Sequence, residues 1–112
     1  MHTIWITGGS SGIGFAVAKK FLEKNWQVII TSSNLTKLEE ATKKLKNKTN
    51  IDNIFSIVCD ITNYNDVNKT ITRIENEISP INIALLGAAA YSPNKSQNFD
   101  LKNYELLIDV NL

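Results

Sequence analysis

Cysteine and histidine are almost missing from this sequence of 112 residues. It contains one cysteine, Cys59, and one histidine, His2. A single cysteine excludes an internal disulfide and a CxxC zinc or redox motif. With only one histidine beside it, a metal centre built from His and Cys ligands is not expected either, and we predict no metal site.

An excess of charge of one sign and long apolar runs are also lacking. Twelve Lys and Arg against eleven Asp and Glu leave a formal net charge of +1, so no basic field favours nucleic acid as a partner. No apolar run approaches the roughly 18 residues of a membrane span. The amino terminus lacks a basic region followed by an apolar stretch, which argues against a secretory signal. We expect no membrane partner and a cytoplasmic location.

The apolar residues that are present follow an alternating order of strand-like and helix-like patterns. The composition, 43% hydrophobic and 21% charged, suits one globular domain. Short β-branched segments predict strands at residues 2–7, 26–31, 54–59 and 81–86. Apolar residues at helical spacing predict helices after each strand, over residues 13–24, 35–45, 67–78 and 101–108. Thr36 and Glu39 have the spacing of a capping box near the start of the second helix.

This βαβαβαβα order predicts an α/β domain with a Rossmann-type doubly wound parallel sheet and helices on both faces. The expected strand order is 3-2-1-4. The strands are nearly continuously apolar, as expected for parallel strands covered on both faces. A mixed α+β domain without a nucleotide site is the alternative, but it leaves a glycine-rich segment unexplained.

That segment, Thr7-Gly8-Gly9-Ser10-Ser11-Gly12-Ile13-Gly14, lies between the first strand and the first helix. Glycine permits a sharp turn with positive φ, close approach of the backbone to a phosphate, and tight packing of helix on strand. The free N–H groups and the positive dipole end of the helix then face the anion. The residues predicted to bind a cofactor here are Gly8, Ser10, Ser11, Gly12, Ile13 and Gly14.

Two well-known phosphate motifs do not match this segment. The GxGxxG fingerprint fails from either Gly8 or Gly12. The P-loop requires Lys and Ser or Thr after its second glycine, where this chain has Phe15 and Ala16. A nucleotide triphosphatase is therefore disfavoured, and a plain tight turn is the remaining alternative to a phosphate site.

Thr-Gly-x-x-x-Gly-Ile-Gly resembles the cofactor motif of the classical short-chain dehydrogenase/reductase family at every position. The resemblance implies an NAD(P)-dependent oxidoreductase that moves a hydride between nicotinamide and a small carbonyl or alcohol substrate, and a homo-oligomer when full length. It also implies roles for three later segments: Asp60 and Ile61 at the adenine, Gly87 and Ala88 near the nicotinamide-side ribose, and Asn111 in the catalytic proton relay. Asp60 as a turn or capping residue and Asn111 as an ordinary polar helix residue are the alternatives.

The chain departs from the family pattern in two places. Leu86-Gly87-Ala88-Ala89 stands where the family usually has Asn-Asn-Ala-Gly, so the asparagine side chains that stabilise the central sheet in the family are missing here. The family's catalytic Ser and Tyr-x-x-x-Lys pair have no counterpart. Tyr91 and Lys95 have the right spacing, but Pro93 between them opposes the helical turn that would bring phenol and ammonium together.

We therefore expect residues 1–112 to be an NAD(P)-binding Rossmann domain that is incomplete at its carboxyl end and inactive alone. A non-catalytic dinucleotide-binding module is the alternative. A methyltransferase of similar fold usually needs an acid at the end of the second strand, where Ser32 and Ser33 stand. An acid there would also select NAD by binding the ribose 2′-OH. Because no acid stands there, we expect NADP to be favoured over NAD. Ser32 and Ser33 are predicted to lie beside the cofactor, and Lys37 is the nearest cation.

Overall fold

The computed structural model describes residues 1–8 and 12–85. Strands and helices alternate in the order β1 (Thr3–Thr7), α1 (Gly12–Glu23), β2 (Gln27–Ser32), α2 (Leu35–Thr49), β3 (Ile54–Val58), α3 (Tyr64–Glu77) and β4 (Ile83–Leu85). The predicted fourth helix lies outside the described residues, as do five predicted site residues: Ser10, Ser11, Gly87, Ala88 and Asn111. No helix in the described part of the chain has the length and apolar character needed to cross a membrane.

The four strands form one parallel sheet in the order β3-β2-β1-β4. β1 lies inside the sheet, and its residue Ile6 pairs with Ile30 of β2 on one side and Leu85 of β4 on the other. This confirms the predicted Rossmann-type fold with strand order 3-2-1-4. The chain builds outward from β1 through β2 to β3, then returns to the opposite side of β1 for β4.

Two apolar clusters fill the two faces of the sheet because neighbouring side chains on a strand point in opposite directions. Ile4 and Ile6 of β1 belong to one cluster, whereas Trp5 between them belongs to the other. Helices α1 and α2 cover the first face through Ala18, Leu22, Leu38, Ala41 and Leu45, and α3 covers the second through Ile74. Helices on both faces were predicted, and the two clusters confirm them.

β3 differs from the prediction that each strand is covered on both faces. Its buried residues are Ile54 and Ile57, whereas Phe55 is 38% exposed and Val58 is 47% exposed. β3 forms the edge of the sheet and has a neighbouring strand on one side only, whereas β1 lies between two strands and is buried throughout. Apolar composition alone does not distinguish such an edge strand from a central one.

The helix starts also differ in detail from the sequence prediction. The capping box of Thr36 and Glu39 is wrong: Asn34 caps α2, and its side-chain oxygen accepts a hydrogen bond from Lys37 N at 3.0 Å. An extended Asn at this position satisfies a free N–H of the first turn, which is the preferred capping chemistry. Ile13 was predicted to lie on the apolar face of α1, yet it is 45% exposed, whereas Gly14 beside it is buried.

Candidate functional site

The carboxyl ends of all four strands meet at one edge of the sheet because the strands are parallel. β1 is the strand from which the chain leaves in one direction to β2 and later in the other to β4. In open α/β sheets the crevice outside the strand ends at such a reversal is the usual ligand site. The predicted site residues that the structure describes either end β2, as Ser32 does, or follow β1, β2 or β3 at this edge.

The turn after β1 contains two glycines in the left-handed region. Gly8 has φ of 70° and Gly12 has φ of 61°. The Gly8 N–H donates to the Thr31 carbonyl oxygen at 2.9 Å, which ties the start of the turn to β2. Gly12 is the first residue of α1. The chain therefore leaves β1 and enters α1 through backbone conformations that favour glycine, as the sequence predicts.

The surroundings of Gly12 test whether this turn has room for a phosphate. Among the described residues, a Cβ built at Gly12 would meet no atom within 4 Å, leaving glycine, its chain neighbours and the helix's own backbone aside. Glycine is therefore needed here for its φ angle, and the described residues leave space beside it at the positive end of a helix dipole. Such a space at the start of a helix fits the pyrophosphate of a dinucleotide.

The next two predicted residues, Ile13 and Gly14, face different environments. Gly14 is buried in the first turn of α1, whereas Ile13 is exposed beside it. A buried residue without a side chain allows the helix to pack closely on the strand that it follows. Gly14 thus acts on the core side of the turn, and Ile13 lies on the outer side, where a ligand has access.

The end of β2 presents hydroxyl and amide groups and no carboxylate. Ser32 is half-buried, and its Oγ accepts a hydrogen bond from Asn34 N at 3.1 Å. Its hydroxyl proton is still available to donate. Ser33 is exposed, and the first acidic residue after the strand is Glu39, inside α2. The segment between β2 and α2 therefore carries no negative charge that would repel a ribose 2′-phosphate.

Asp60 follows β3 in a tightly hydrogen-bonded turn. Its Oδ1 accepts from Thr62 N at 3.0 Å and from Thr62 Oγ1 at 2.6 Å. The hydrogen bond from the Thr62 hydroxyl, and then that from its N–H, lowers the pKa of the exposed Asp60 carboxyl below its ordinary value of 3.8. Asp60 is thus an ionised hydrogen-bond acceptor at this edge, and Ile61 beside it is half-buried.

The sequence prediction did not identify Asp66 as part of this turn. The Asp66 Oδ2 accepts from Asp60 N at 2.7 Å, so the first turn of α3 is tied to the residue after β3. Asn63 caps α3, and its Oδ1 accepts from Asp66 N at 3.0 Å. Asn63 and Asp66 have the spacing of a capping box. This spacing is the sequence signal that could have identified Asp66.

Cys59 lies next to this turn without the properties of a nucleophile. It is 3% exposed, and its N–H donates to the Ser32 carbonyl oxygen at 3.0 Å. Burial raises the pKa of the thiol above its ordinary value of 9.0, and a hydrogen bond with Thr70 offsets only part of that effect. Within residues 1–8 and 12–85, no group of three or more His, Cys, Asp or Glu side chains could hold a metal ion.

Known proteins share both the sequence pattern and the fold. Residues 2–112 match the model of the short chain dehydrogenase family. The chain is 31% identical over 108 residues to a 3-dehydrosphinganine reductase of Arabidopsis thaliana, covering 96% of this chain and 32% of that protein. It is 32% identical over 93 residues to a chlorophyll(ide) b reductase of Oryza sativa subsp. japonica, covering 81% of this chain and 27% of that protein.

Among solved structures, salutaridine reductase from Papaver somniferum superposes with a TM-score of 0.70 and 28% identity. The matched region covers 75% of this chain and 29% of that protein. The chain thus spans about a third of the length of the curated relatives that it matches. Because the family model matches almost every residue, the chain belongs to the short-chain dehydrogenase family.

Proposed function

We propose that this chain is the cofactor-binding part of an NADP(H)-dependent oxidoreductase. The bound nicotinamide would supply the hydride that is exchanged with the carbonyl or alcohol carbon of a small substrate. The observation that carries the proposal is the glycine turn, in which Gly8 and Gly12 both have positive φ at the carboxyl edge of the sheet. Family membership supports it, since nicotinamide cofactor use is general to these enzymes.

The names of the similar proteins favour a reductase. Two curated relatives are reductases, of 3-dehydrosphinganine and of chlorophyll(ide) b, and the similar solved structure is salutaridine reductase. A ketone or aldehyde is therefore the substrate class that we propose for the whole protein. We further propose that Asn111 takes part in its proton relay and that Gly87 and Ala88 border the nicotinamide-side ribose. The homo-oligomeric state and the cytoplasmic location stay predictions.

The proposed preference for NADP rests on the end of β2. The Ser32 hydroxyl can donate to a 2′-phosphate, and no carboxylate lies between β2 and Glu39 to repel it. The exposed Ser33 adds a second hydroxyl at the same place. A carboxylate in place of Ser32 would instead accept the ribose 2′-OH and favour NAD.

Calorimetric titration of the purified protein with NADPH and NADH tests this proposal. The unmutated protein should bind NADPH at least as tightly as NADH. Ser32→Asp should shift the ratio of the two affinities toward NADH by about tenfold, equivalent to about 1.4 kcal/mol. Ser56→Asp is the matched control, because Ser56 is an exposed residue within β3 and away from the strand ends. A clear NADH preference of the unmutated protein would contradict the proposed cofactor choice, and binding of neither would contradict the function.

A further inference from the structure

We propose that Asp66 is a positioning residue for cofactor binding: it holds the turn after β3 so that the Asp60 carboxylate faces the adenine of the dinucleotide. This inference rests on the proposed function and deepens it. Asp66 itself does not touch the cofactor in this proposal. It acts through the backbone of Asp60.

Four hydrogen bonds with three residues determine the orientation of Asp60. Asp66 Oδ2 holds its N–H at 2.7 Å, Asn63 N donates to its carbonyl oxygen at 3.0 Å, and Thr62 holds Oδ1 of its side chain. The bonds that the carboxylate accepts from described residues therefore all end on Oδ1. Oδ2 is left to accept a hydrogen bond from an amino group such as that of adenine.

The bond from Asp60 N to Asp66 differs from the others because its acceptor lies inside a helix. Thr62 and Asn63 belong to the same short turn as Asp60, whereas Asp66 lies in the first turn of α3. That helix is anchored to the sheet by Ile74, which is fully buried. Asp66 thus links an exposed turn to a rigid element, and without this link only bonds within the turn itself would orient Asp60.

The position of Asp66 also offsets the repulsion between two neighbouring carboxylates. Asp60 and Asp66 both carry carboxylates within one short segment, and like charges repel each other. The structure compensates by placing Asp66 on the N–H of Asp60 and in the first turn of α3, where the helix dipole favours a negative charge. A bond between a carboxylate and a backbone N–H is stronger than one between neutral groups.

The test uses 2′,5′-ADP, which contains the adenine half of NADP without nicotinamide, beside NADPH itself. Asp66→Ala should weaken the binding of both by about tenfold, the loss expected when one hydrogen bond to a charged group is displaced. Asp66→Asn keeps an oxygen that can accept from Asp60 N, so its affinity should stay within about threefold of that of the unmutated protein. Amide exchange followed by NMR should show faster exchange of the Asp60 N–H in Asp66→Ala than in Asp66→Asn.

A stability-matched control separates positioning from general destabilisation. Ile4→Val removes one buried methylene near the amino end of β1, away from the carboxyl edge, and should cost stability without changing the affinity for 2′,5′-ADP. Equal affinity of Asp66→Ala and the unmutated protein, or an equal loss in Ile4→Val, would overturn the proposed role of Asp66 while leaving the cofactor site intact. Binding of neither NADPH nor 2′,5′-ADP by the unmutated protein would instead overturn the proposed function, and this inference with it.

Discussion

Substitution of Gly12 tests whether glycine is required for its positive φ angle or for lack of room for a side chain. The φ angle of Gly12 is 61°, and outside its chain neighbours and helix backbone a Cβ there would meet no atom of the described residues within 4 Å. Alanine would therefore meet no steric clash with the rest of the fold, but it would have to adopt the left-handed region. For an L-residue this costs about 1–2 kcal/mol, so Gly12→Ala should lower the free energy of unfolding by that amount.

Asparagine at the same position provides the decisive comparison. Asn is larger than Ala but adopts the left-handed region more readily, because its short polar side chain can hydrogen-bond locally. Gly12→Asn should therefore lose less stability than Gly12→Ala. If space rather than φ were limiting, the order would be reversed. Both variants should bind NADPH more weakly than the unmutated protein, since a side chain enters the space proposed for the pyrophosphate.

Urea unfolding followed by tryptophan fluorescence measures these effects, because Trp5 is 3% exposed and reports on the core. With a typical slope of about 2 kcal/mol per molar urea, the midpoint of Gly12→Ala should fall by roughly 0.5–1 M. Ala16→Gly is the matched control: Ala16 is exposed in α1, where glycine should cost about 1 kcal/mol. Equal stability of Gly12→Ala and the unmutated protein, or lower stability of Gly12→Asn, would refute the argument.

Two further predictions follow from the pKa directions at this edge. Thr62→Val removes the hydroxyl that donates to Asp60, so the Asp60 pKa should rise toward 3.8, whereas Thr62→Ser should keep it low; carboxyl NMR titration measures both. Because the folded pKa is the lower one, the stability from this group is present above pH 3.8 and lost as the pH falls through the folded value. An unchanged pKa in Thr62→Val would contradict the assigned cause. Cys59, the chain's only cysteine, should react with iodoacetamide at pH 8 at least about tenfold faster in urea than in buffer, because burial protects the thiol and raises its pKa. Equal rates would show that Cys59 is accessible in the folded protein.

Periodicity and glycine placement were sufficient to predict most of the fold. The alternation of β-branched segments with amphipathic ones predicted the strands up to β4 to within two residues at their ends. The helices were less exact: α2 extends four residues past its predicted end, and α3 begins three residues before its predicted start. The strand order followed because right-handed crossovers and doubly wound topology leave few arrangements of this pattern. The glycine turn was predictable as well, since the conformations of Gly8 and Gly12 depend mainly on local chain geometry.

Burial at the sheet edge and the choice of helix cap needed the three-dimensional arrangement. Phe55 and Ile57 have the same apolar character in the sequence, yet one is exposed and the other buried, because exposure depends on where α2 and α3 lie over β3. Thr36 and Asn34 are both capable of capping α2. The choice between them depends on where the chain leaves β2 and begins to turn.

The sequence by itself determined the fold class and the position of the glycine turn, because both arise from interactions between residues close in the chain or from a repeated apolar period. Only the tertiary structure decided how Asp60 is held. Its bond to Asp66 spans six positions and forms because the packing of Ile74 on the sheet places the start of α3 beside the end of β3. Such a contact depends on the positions of two separate elements, and no spacing rule within one element specifies it.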